Sequence, residues 1–81
     1  MAIGKKQFQH NGFREPSDTK QFQILSASPG QWFTTLELQN LSMTSRAKNG
    51  RILLSLYRAE VVARETADDG HGYKFRVPVS K

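Results

Sequence analysis

Residues 44–58, TSRAKNGRILLSLYR, hold the side chains of this chain best suited to chemistry. Arg46, Lys48, Arg51 and Arg58 bring four cations into fifteen residues, with no acid among them. Cations without a base or nucleophile do not build a catalytic centre. They neutralise phosphates and donate to base edges: Arg and Lys match guanine O6 and N7, and an amide such as Asn49 can bond adenine in a bidentate manner. Thr44, Ser45 and the start of a helix would suit a neighbouring phosphate. Ordinary surface helices mix signs, because opposite charges at i and i+4 stabilise them, so an acid-free stripe points to an anionic partner.

Other constellations carry less. His71 stands between Gly70 and Gly72, next to Asp68 and Asp69, but the only other histidine is His10 and there is no cysteine. That is a thin ligand set, so no metal and no cofactor are expected. Gly-His-Gly falls in a loop between two strands, not between a strand and a helix, and is no dinucleotide fingerprint. Ser, His and Asp are present, but no cleft-forming architecture brings them together, and the chain is not read as an enzyme. Trp32 reads as a core or hinge aromatic.

The 81 residues suffice for one small domain, with 37% hydrophobic residues to build a thin core. The formal net charge of +5 favours nucleic acid or an anionic surface as partner. The excess concentrates in residues 42–60, which hold four cations and one acid, Glu60. Nothing approaches the roughly 20 apolar residues of a membrane span. The N-terminus has lysines but no apolar run after them, unlike a secretory leader. No membrane partner is expected, and a cytoplasmic location follows, nucleoid-associated in a prokaryote.

The elements that must position these side chains can be read in order. Residues 1–16, with Lys5, Lys6 and Arg14, form a polar N-terminal arm, and residues 17–81 the domain. A first helix is expected over 18–27, capped by Ser17 or Asp18 and ended by SPG at 28–30. QWFT then supplies an edge strand or an extended linker. In TTLELQNLS, Thr34 and Glu37 fit a capping box for a second helix with Leu36, Leu38 and Leu41 as its apolar contacts. After a turn of about three residues, Ser42 or Thr44 caps a third helix over 45–59. At about 100° per residue, Lys48, Arg51, Ser55, Arg58 and Thr44 share one stripe, while Ile52, Leu53, Leu54, Leu56, Tyr57 and Ala47 form a wide apolar face. Arg46 falls on that apolar side. Residues 61–78 form a β-hairpin around ADDGHG, with Tyr73, Phe75 and Val77 alternating against Lys74 and Arg76.

The order helix, short strand, helix, tight turn, basic helix, hairpin, with "LYRAEVVARE" leading from the third helix into the first hairpin strand, resembles the winged helix-turn-helix superfamily of DNA-binding domains. The resemblance covers about residues 18–78. It implies an α+β fold of three helices with a C-terminal wing of two or three strands. It also implies a sequence-specific double-stranded DNA-binding protein, a small transcriptional regulator, with helix 45–59 in the major groove. The DNA-binding residues implied are Thr44, Ser45, Arg46, Lys48, Asn49, Arg51 and, further along the stripe, Ser55 and Arg58. Arg64, Lys74 and Arg76 would follow from the wing. A homodimer would supply two half-sites. Asn49 and Gly50 depart from the family's usual apolar residue and helix former, and Asp68 and Asp69 at the wing tip would repel phosphate. Fold does not fix function. A protein-interaction module using the acidic tip and Trp32–Phe33, and an RNA-binding protein, are the alternatives.

Overall fold

The computed structural model describes residues 12–79. A short 3-10 turn, Pro16–Asp18, leads into α1 (Lys20–Ala27), β1 (Phe33–Thr34), α2 (Thr35–Ser42), α3 (Arg46–Arg58), β2 (Ala63–Thr66) and β3 (Tyr73–Arg76). This is the expected α+β order of three helices and a sheet. The QWFT segment contributes an edge strand, so the sheet has three strands in the order β1-β3-β2. Both pairings are antiparallel; Phe75 of β3 lies opposite Phe33 on one side and Arg64 on the other.

The helix ends explain themselves chemically. Ser17 and Asp18 do not cap α1. Asp18 Oδ2 instead accepts the Arg14 and Glu15 N–H groups, at 3.0 Å each, and closes the 3-10 turn. Thr19 is the cap, its hydroxyl accepting Phe22 N–H. The capping box of α2 forms as expected: Glu37 N–H donates to Thr34 Oγ1 at 3.1 Å, and Thr34 N–H donates to Glu37 Oε1 at 2.8 Å. Met43 ends α2 in the left-handed region at φ 57°. The turn spans 43–45, and the cap of α3 is Ser45, whose hydroxyl accepts Lys48 N–H at 3.2 Å. Ser42 and Thr44, expected as caps, face inward instead.

One core holds the elements together: Leu25 from α1, Leu38 from α2, Ile52, Leu53 and Leu56 from α3, with Val62 and Phe75. Phe13 packs against this cluster, so part of the expected arm belongs to the fold. Lys5 and Lys6 lie outside the described residues. Of the three leucines expected to anchor α2, only Leu38 is buried; Leu36 and Leu41 are exposed. Replacing such a fully buried leucine by Ala removes about 2–5 kcal/mol of stability. Within β3 only Phe75 is buried, and Tyr73 is nearly half exposed. Gly30 sits at φ +84°, where a Cβ would collide with Val79 Cγ2. The positive φ is what favours glycine there, since the Val79 side chain is exposed and could move aside.

Candidate nucleic-acid interface

The orientation of α3 is set by a polar cluster under its first turns. Asn49 and Gln21 are both 0% exposed. Asn49 Nδ2 donates to the Thr35 carbonyl at 3.1 Å, which turns its Oδ1 toward α1. Gln21 Nε2 meets that oxygen at 2.9 Å, with Thr44 Oγ1 at 3.0 Å and Ser42 Oγ at 3.1 Å. The Ser42 and Thr44 hydroxyls are themselves 2.8 Å apart. One cluster thus ties α1, both ends of α2, the turn and α3. In a low-dielectric interior such bonds are stronger than in water and favour one register, although Gln21 Oε1 in this cluster has no partner. Asn49 and Thr44, expected to contact DNA, are therefore structural. Their polar atoms face inward, and Asn49 has no surface to offer a base.

Because Asn49 belongs to the core, the helix is turned from its expected orientation. The buried residues of α3 are Asn49, Ile52, Leu53 and Leu56, and the centre of that face lies about 60° from the centre of the apolar arc expected above. Ala47, Leu54 and Tyr57, placed in the core by the leucine-rich pattern, are on the outside. The opposite face carries Ala47, Arg51, Leu54 and Arg58 within about 60° of one another. Arg46, Gly50 and Tyr57 flank them on one side, Lys48 and Ser55 on the other. Arg46, Lys48, Arg51 and Arg58 are all exposed, as is Ser45, while Ser55 is half-buried. Arg46 is thus no misfit but the edge of the outward face.

The hairpin residues divide. Arg64 is packed between two rings, its guanidinium carbon 4.1 Å from the Tyr57 centroid and 4.3 Å from that of Tyr73. Stacking of this kind is favourable by about 0.5–2 kcal/mol and holds the charge in one place. It also pins the hairpin to α3. Lys74 and Arg76 lie on the other side of β3, away from Phe75 and the core. Lys74 is bonded to Asp68 Oδ1 at 2.8 Å, with its side chain only 16% exposed. Its ammonium is 5.0 Å from the Trp32 ring centroid, and the Arg76 guanidinium lies over the same ring at 4.6 Å. Arg76 is not brought together with the cations of α3, and Lys74 shares a groove with Arg46 alone among them. Trp32 correspondingly lies under two cations on the outer face of the sheet, outside the core cluster.

Glu37, Asp68 and Asp69 line a groove of about 1140 Å³ between the start of α2 and the hairpin loop, together with Arg46, Lys74, Trp32, Leu36 and Tyr73. Hydrogen bonding to Lys74, then its charge, holds the Asp68 carboxyl below the usual aspartate range. His71 donates its backbone N–H to Asp69 Oδ1 at 2.9 Å. No group of three or more His, Asp or Glu among the described residues is placed to hold a metal ion. Nor, among them, is any helix long and apolar enough to cross a membrane.

Helical periodicity missed the roles of Gln21 and Tyr57, and strand alternation that of Tyr73. The available signal was Asn49 itself: one amide in line with Ile52, Leu53 and Leu56 marks a core position that needs a polar partner. No protein-family model, no curated protein and no solved structure matches this chain.

Proposed function

We propose that the protein binds double-stranded DNA through the outward face of α3, in the manner of a winged helix-turn-helix regulator. The observation that carries this is the exposure of Arg46, Lys48, Arg51 and Arg58 on a helix that has no acid anywhere along it. A helix of this width fits the major groove, and four exposed cations supply the counterion-release component of affinity. The polar cluster beneath Asn49 supports the reading, because a reading helix has to be held at one angle. Arg64, held beside the C-terminal half of α3, extends the positive surface into the hairpin. A dimer on a two-fold site would add the specificity that one small module lacks.

The test is a titration of isotope-labelled protein with a short duplex, followed by amide and guanidinium NMR shifts. Movement of Arg46, Lys48, Arg51 and Arg58 supports the reading. Shifts confined to the sheet face around Trp32, or preference for duplex RNA in competition, would overturn it. A second reading, docking of a protein partner, draws on the acidic and aromatic groove between α2 and the hairpin loop. That reading predicts no shift on α3 with either nucleic acid.

A further inference from the structure

Gly50 is a residue the fold does not ask for. It lies in the interior of α3, where glycine costs about 1 kcal/mol relative to Ala. Its φ is not in the left-handed region, and a Cβ built on it would meet nothing within 4 Å. Neither backbone conformation nor internal packing accounts for it. What remains is the space outside. Gly50 opens onto a shallow depression of about 550 Å³, lined by Arg46, Ala47, Arg51 and Leu54. Leu54 is 38% exposed there, although an apolar side chain gains nothing from that position in the free protein. Two guanidinium groups therefore flank a small apolar hollow. Arg46 and Arg51 are five residues apart, about 7.5 Å along the helix axis, close to two base-pair steps of about 3.4 Å.

We propose that this hollow receives the 5-methyl group of a thymine in the major groove, with Gly50 there to let the base edge approach the backbone. Ala47 and Leu54 supply the apolar walls, and Arg46 and Arg51 donate to neighbouring bases or phosphates. The thymine methyl is the one apolar group a base pair shows in that groove, and small or apolar side chains are its usual contacts. The inference rests on the DNA-binding reading and specifies what that face recognises. Glycine at position 50 then exchanges helix stability for closeness.

The experiment uses duplexes selected by the full chain from a random library, each rebuilt with uracil in place of thymine. Wild type is expected to lose several-fold in affinity on the uracil duplexes, and Gly50→Ala to bind the thymine duplexes about tenfold more weakly. The same variant should melt a few degrees higher, since it gains helix propensity. Weaker binding by a more stable protein cannot be ascribed to misfolding. Leu54→Ala, which removes a wall without adding bulk, should bind thymine and uracil duplexes alike. The inference is overturned if Gly50→Ala binds as wild type does, or if uracil costs nothing, while wild type still selects a sequence. If wild type enriches no duplex, the DNA-binding reading itself fails, and this inference with it.

Discussion

Replacing Asn49 by Ala tests whether that amide belongs to the fold or to a ligand. The side chain accepts from Gln21 and donates to the Thr35 carbonyl. Gln21 Nε2 has only two hydrogens for three acceptors, so after the change it keeps Ser42 and Thr44 and loses little. The Thr35 carbonyl, which already accepts a backbone N–H within α2, loses its second, partly buried bond. Loss of these bonds, with a small cavity at a fully buried site, should cost about 1–3 kcal/mol. A chain of this size has a total stability of about 4–12 kcal/mol, so the loss would be conspicuous. Urea denaturation followed by circular dichroism and by Trp32 fluorescence measures it, with coincident transitions required. A midpoint equivalent to a loss under about 0.5 kcal/mol would refute the argument and return Asn49 to the surface, as a candidate for bonding adenine.

Two further outcomes follow from local geometry. Met43 is exposed and left-handed, a conformation that costs a side-chain-bearing residue about 1–2 kcal/mol, partly offset in glycine by greater freedom when unfolded. Met43→Gly should therefore raise stability by about 0.5–1 kcal/mol in thermal or urea unfolding. Asp68 has its pKa depressed by Lys74, so the pair's contribution is present above the ordinary aspartate value and is lost as pH falls through the lowered one. Carboxyl NMR should show a low Asp68 midpoint that returns toward the ordinary value in Lys74→Met.

The elements were legible because each boundary has a local chemical cause. Thr34 and Glu37 announced the start of α2, SPG the end of α1, and strict alternation the last strand. The facing of the elements was harder to read. Leu54 and Tyr57 look like core on a helical wheel, whereas Asn49 and Gln21 look like surface by residue type, although the wheel sets Asn49 among Ile52, Leu53 and Leu56. The structure reverses both pairs, because a buried amide becomes favourable once its partners converge from three other segments. That convergence depends on residues 14–28 positions apart in the chain, and no periodicity reports it. The same long range explains the hairpin. That Lys74 is engaged by Asp68 and Trp32, and Arg64 by two tyrosines, depends on loop closure and strand register, not on alternation. The cations of α3 were found because charge without acid is a compositional fact. Their true grouping, with Arg46 included, required knowing which way the helix had turned.

DNA binding through α3 is tested most directly by the salt dependence of binding to duplex DNA, measured by fluorescence anisotropy for wild type and for the double replacement Lys48→Ala, Arg51→Ala. Each phosphate contact contributes about 0.9 to the slope of log K against log salt concentration. Both side chains are exposed and outside the core, so the fold should survive their loss. If α3 is the binding helix and both cations meet phosphates, affinity falls and the slope drops by about two. An unchanged affinity and slope would contradict the assignment of α3 as the DNA-binding surface.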